Sequence, residues 1–347
     1  MLWLALHLPL LPLEAVAGDD AVPRVVADRM VRVANPAARA AGVQLGMTAA
    51  TAQSLAPDIV TVPPDPARDR RVLEGLALHL WTVTSLITLM PESPALLGEM
   101  DGSARLFGGV PPAIDAALAG MAAAGVTVQW AASPAPAAAL LLARERPGTI
   151  ASSMERQRLA LDTLPVHCLP FSQKVIEALM RLGLRRTSEV LQLPRAGLQR
   201  RFGTDIVRQL DQLTGAAPDP RLRWSPPARF DRRMEWPVPV EAMEALVFPL
   251  RRLAGEMAAY LSVRGQLATA ILVTLEHEGR ADTAIEVRAA SGTGDAEHLL
   301  VLITNRLATI TLAGPVRALR LQLVAEREVP LGSAALFDDP TTQGERT

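Results

Sequence analysis

Among 347 residues there is one cysteine, one tyrosine and a single lysine, Lys174, and aromatic side chains make up only 3% of the chain. The lone Cys168 excludes an intramolecular disulfide and any zinc site built on several thiolates, and cytosolic residence is the expectation. With so few rings, the interior rests on Ala, Leu and Val. Arginine supplies nearly every positive charge, a bias that reads as genome composition before it reads as chemistry. No apolar run reaches the roughly 18 residues of a membrane span. Motif chemistry is equally sparse: there is no Gly-x-Ser-x-Gly, and the five histidines form no i,i+4 pair. His277, between Glu276 and Glu278 at a strand end, faces away from both. "SGTGD" at 291–295 lacks Gly-Lys-Ser/Thr and reads as a loop between strand and helix. No cofactor and no metal are expected.

What is present starts with "MLWLALHLPLLPLEAV". It is a poor export signal, because no basic residue precedes it, Pro9 and Pro12 interrupt it and Glu14 lies where it ends. A buried strand starting at Trp3, with the prolines at or beyond its end, fits better. The net charge of −1 hides a gradient. Residues 1–165 carry 12 basic against 15 acidic groups, residues 166–236 carry 13 against 7, and the remainder 10 against 14. A basic middle between acidic flanks suits a polyanionic partner such as DNA, although a solvated helical surface gives the same signal.

Along 1–165, strands and helices interleave as in an α/β layer. "RMVRVAN" reads as a strand. "NPAARAAGVQLGMTAATAQSLAPD" gives two short helices parted at Gly42–Gly46, the second capped by Thr48. "DRRVLEGLALHLWTVTSLI" is one amphipathic helix, and "ALLGEMDGSARLFGG" a strand, a turn at Asp101-Gly102 and a Gly-Gly stop. Two further helices flank the strand "VTVQWAAS". From 166 to 224 short helices follow, punctuated by Gly and Pro. In "VIEALMRLGLRRTSEVLQL" a helix ends at Leu182, Gly183 makes a hairpin and Thr187 caps the next helix. That helix-hairpin-helix pattern points the hairpin amides at phosphate oxygens, with Arg185, Arg186, Arg200 and Arg201 beside them. After the linker "RWSPPARF", residues 229–327 read β-α-β-β-α-β with a long helix at 242–263, and 328–347 form a polar tail.

In this order the pieces resemble a Y-family DNA polymerase: an α/β palm with inserted fingers (1–165, fingers about 29–70), a helix-hairpin-helix thumb and a split βαβ little finger. The segments "ANPAARAAGVQLGMTAATAQSLAPDIVTVPPD" and "LMRLGLRRTSEVLQLP" look like fingers and thumb. "DGSARLFGG" is typical of the ImuB-type homologues of bacterial mutasomes. The resemblance implies two aspartates on the first strand. Anchored on Glu14, the alignment places Ala5 and His7 there, and the second carboxylate pair falls on Pro94 and Ala95, with Glu92 close by. The tyrosine that would meet the triphosphate is Pro36, while Arg39 matches its arginine partner. Two-metal phosphoryl transfer needs several hard oxygens at about 2.1 Å from each ion, which alanine, proline and histidine do not supply.

The resemblance therefore implies a non-catalytic adaptor of damage-induced translesion synthesis. It would be cytoplasmic and nucleoid-associated, with no membrane contact, and would link DNA, the sliding clamp, an error-prone replicative-type polymerase and a RecA-like accessory protein. In the tail, Ser333, Leu336 and Phe337 resemble a clamp-binding peptide whose first glutamine is missing. Two alternatives stay open: an active, divergent lesion-bypass polymerase, and a DNA-binding module unrelated to polymerases.

Overall fold

The computed structural model describes residues 1–16 and 18–329. The opening stretch forms β1 (Trp3–His7), and Pro9 and Pro12 lie beyond it, Pro12 inside the short helix α1 (Leu11–Glu14). Next come β2 (Arg24–Ala27), β3 (Val31–Ala34), α2 (Pro36–Ala40), α3 (Ala49–Leu55) and β4 (Val60–Val62). The Thr48 side chain accepts the Thr51 amide, the capping expected there, and the Asn35 side chain likewise accepts the Ala38 amide at the start of α2. These strands form a small sheet of order β3-β2-β4 with its own valine and alanine core.

Helix α4 (Pro66–Trp81) ends earlier than its apolar pattern suggests. The Thr82 hydroxyl donates to the His79 carbonyl and the Thr84 hydroxyl to the Glu99 carbonyl, which turns the chain into β5 (Ile87–Met90). β6 (Ala95–Glu99) follows. The Asp101-Gly102 pair then makes no tight turn. The Glu99 carboxylate accepts the amides of Asp101 and Gly102 at 2.9 and 3.2 Å and starts the helical turn α5 (Asp101–Ala104). Then come α6 (Val110–Ala123), β7 (Gln129–Ser133), α7 (Pro136–Glu145), β8 (Thr149–Ile150) and α8 (Met154–Asp162).

β1 lies at the centre of a five-stranded sheet of order β5-β6-β1-β7-β8, antiparallel to both its neighbours. Its apolar character on both sides follows from cover on both faces. Leu4, Leu6 and Leu8 pack with α4 and α6 on one face. Trp3 and Ala5 pack on the other with Ala131, Leu142 and other alanines and leucines of α7.

The helical region holds α9 (Gln173–Arg181), α10 (Thr187–Leu191), α11 (Arg195–Phe202) and α12 (Thr204–Thr214). Leu179, Val190, Leu198 and Leu210 share one core with α7. The linker then passes the edge of the five-stranded sheet, where the Trp224 amide donates to the Ile87 carbonyl at 2.7 Å. The last unit comprises β9 (Asp231–Val240), α13 (Val247–Arg264), β10 (Gln266–His277), β11 (Thr283–Thr293), α14 (Ala296–Leu307) and β12 (Val316–Glu328). Its sheet, order β11-β10-β12-β9, carries both helices over one core. The split βαβ order is as the sequence reads. Two details differ. A 3-10 turn, Met243–Leu246, precedes the long helix. β11 runs through "SGT", with Gly292 at φ 69° beside the register shift between Ala268 and Ala270, so only Gly294 and Asp295 remain as loop.

Candidate functional site

The site to test is the end of the central strand. β1 and β6 pair so that His7 lies opposite Ala95 and Ala5 opposite Leu97. The Leu8 amide donates to the Pro94 carbonyl at 2.9 Å, and the His7 Nδ1 lies 3.3 Å from the same oxygen. His7, Pro94 and Ala95 thus meet at one place. Ala5 does not join them. It is fully buried one step further in, between Leu97 on β6 and Ala131 on β7 and under α7, with no path to solvent.

Sequence reasoning missed Arg144. It stands in the last turn of α7, where a cation suits the helix C-terminus, and its guanidinium donates to the Ser93 hydroxyl in the β5–β6 connection. Burial and this nearby guanidinium push the His7 imidazole down to about 4, so at neutral pH it is uncharged. Glu145, next along, accepts from the Cys168 thiol at 3.0 Å. Burial and that hydrogen bond push the thiol up to about 12, so it is no nucleophile. A neutral imidazole, a guanidinium and a single nearby carboxylate that already accepts from the Cys168 thiol are a poor ligand set for two divalent ions. Among the described residues, no group of three or more His, Cys, Asp or Glu side chains could hold a metal ion. Glu14, the alignment's anchor, accepts the Thr127 amide at 3.0 and 3.1 Å and is engaged in holding the fold.

The His7 environment sets a pH dependence. Its folded pKa lies below the ordinary value, so the unfolded chain takes up the proton first. The stability it contributes is present above about pH 6.5 and drains away as the pH falls towards about 4. Denaturant titrations across that interval should show falling stability, with a shallower fall in a His7→Asn chain. An equal slope in both would contradict the assignment.

In the helical region the structure corrects the first hairpin. Gly183 takes the left-handed backbone, φ 86°, that the hairpin needs. Thr187, however, is no cap: it is the first helical residue of α10 and is buried. Glu189 caps instead, its Oε2 accepting the amides of Arg185 and Arg186 at 2.6 and 3.0 Å and holding its own carboxyl below the usual range. The Gly183 and Leu184 amides bond back to Met180 and Leu179. Those amides are therefore spent within the chain, and the exposed side chains of Arg185 and Arg186 are the cations the hairpin turns outward. Arg185 also donates to the Met180 carbonyl at 2.7 Å. The second hairpin differs. Gly203 (φ 91°) links α11 to α12, no side chain caps α12, and Arg200 and Arg201 are exposed in the last turn of α11. Arg39 is exposed in the last turn of α2, with Pro36 at that helix's start. Ser333, Leu336 and Phe337 lie outside the described residues.

Comparison with known proteins supplies the context. The impB/mucB/samB family model matches residues 15–88. Protein ImuB of Caulobacter vibrioides, in strains NA1000 / CB15N and CB 15, is 30% identical over 304 residues, covering 87% of this chain. The chain spans 66% of the length of those relatives. Among solved structures, a Dbh ternary complex superposes with a TM-score of 0.51 at 17% identity, covering 95% of this chain and 100% of that one. DinB from Sulfolobus solfataricus gives 0.51 at 17%, covering 93% and 98%. At that identity the likeness speaks for the fold. Together these findings give the chain a Y-family polymerase fold and a sequence similar to Protein ImuB and to the impB/mucB/samB family.

Proposed function

We propose that the protein is a non-catalytic, DNA-associated component of damage-induced error-prone synthesis. The observation that carries this reading is the end of β1, where His7, Ala95 and the Pro94 carbonyl meet with Arg144 beside them. Electrostatic stabilisation of a transferring phosphoryl group is commonly the largest catalytic term, and these residues leave no hard-oxygen cluster to bring metal ions there. As a cytoplasmic, nucleoid-associated adaptor it would bring a sliding clamp, an error-prone replicative-type polymerase and a RecA-like accessory protein to DNA. The tail peptide around Leu336 and Phe337 is the proposed clamp contact.

Two surfaces compete for DNA. On the last sheet the cations are largely matched by carboxylates: Arg233 bonds Glu276 through both Nε and Nη2 at 2.7 Å, Arg320 bonds Asp231, Arg288 bonds Glu286, and Arg317 lies 3.6 Å from Glu276. Arg200 and Arg201 carry no such partner among the described residues, which favours the helical region for phosphate contact. Replacing both by alanine should weaken duplex binding about equally across sequences and reduce the salt slope by about two. The Arg185→Ala/Arg186→Ala pair should do less. Adding the correct nucleotide with Mg²⁺ should leave the affinity for a primed template unchanged. Marked tightening would mean that a nucleotide site is built after all.

A further inference from the structure

We propose that the last sheet unit is locked onto the first by a buried arginine–glutamate–arginine clasp, so that the two move as one rigid body rather than as a core with a swinging appendage. The clasp forms where α13 crosses α4. Glu256, its side chain only 2% exposed, accepts from Arg232 Nε at 2.8 Å, and its other oxygen lies 3.6 Å from Arg252 Nε. Arg232 also donates to the Arg71 carbonyl on α4, and Arg252 reaches the Glu14 carbonyl at 3.4 Å. The cluster thus ties β9 and α13 of the last unit to α4 and α1 of the first.

Glycines make the approach possible. A Cβ at Gly75 of α4 would clash with the Glu256 carboxylate. Gly255 of α13 and Gly120 of α6 meet His79 closely, and that imidazole is buried with its Nε2 unpartnered. Apolar contacts continue the seam. Leu78 of α4 belongs to the core of the last unit, and Trp81 meets Trp224 of the linker edge to face, their centroids 6.4 Å apart. Arg252 Nε and Nη2 have no hydrogen-bond partner, so this buried cation rests on the Glu256 charge, and removing that charge leaves it stranded.

The proposal rests on the adaptor reading only for its purpose, since its test needs neither DNA nor nucleotide. In small-angle scattering the intact chain should give the compact dimensions of a docked molecule. Gly75→Val drives two methyl groups into Glu256 and should enlarge the radius of gyration by several ångströms while helix content by circular dichroism is kept. Compact Gly75→Val with native helix content would overturn the clasp. If that variant fails to fold, Glu256→Gln decides, because it keeps the volume, strands the buried Arg252 guanidinium and leaves Arg232 only Glu74, at 3.8 Å, as a carboxylate neighbour. Expansion of Glu256→Gln with native helix content supports the clasp, and an unchanged radius overturns it.

Discussion

Changing Ala5 to aspartate should cost about 3–5 kcal/mol of stability, whereas His7→Asp, two residues along the same strand, should cost less than about 1.5 kcal/mol. The contrast follows from position. Ala5 is fully buried in an aliphatic cluster, with Leu97 and Ala131 as strand neighbours and the alanines and leucines of α7 over it. A carboxylate there would find no donor, since the adjacent backbone groups are spent in the sheet ladder. His7 already reaches half-exposed surface beside the Arg144 guanidinium, which would welcome an anion. Against a typical domain stability of about 5–15 kcal/mol, the first loss is large and the second small. Urea titrations of both variants check this. An Ala5→Asp chain as stable as its parent would mean that α7 lifts readily and that position 5 reaches solvent.

That contrast also shows what the sequence made legible. The alternation of apolar runs and helical stretches placed β1, the two short helices with the Thr48 cap on the second, and the β-α-β-β-α-β order of the last unit, because each rests on local periodicity and capping. Three of the positions it singled out, His7, Pro94 and Ala95, also meet in space. Pairing register was beyond it. An i,i+2 spacing puts Ala5 and His7 on one face, but only the third dimension shows that α7 seals Ala5 and leaves His7 at the rim. Arg144 was invisible for the same reason, being 137 residues from His7 and carrying no motif. At the first hairpin the Thr187 cap was a sound local expectation that lost to Glu189. A carboxylate three residues into the helix reached two amides where the threonine hydroxyl reached none. The clasp, finally, is written in Gly75, Gly255 and Glu256, residues that read as ordinary helix positions until α4 and α13 are seen to cross.

On the proposed function the end of β1 does not organise metal-assisted nucleotidyl transfer, and primer extension tests this most directly. Enzymes typically accelerate such steps by about 10⁶-fold or more, and here that acceleration depends on ions held by several carboxylates. Arg144 supplies one fixed positive charge near His7, but a guanidinium neither activates a hydroxyl as a bound metal does nor bridges attacking and leaving oxygens. Supplied with a primed template, all four nucleotides and Mg²⁺ or Mn²⁺, the purified chain should extend no primer above a protein-free control, on undamaged or lesion-bearing templates alike. Template-directed extension that a chelator abolishes and that the His7→Ala chain lacks would contradict the account.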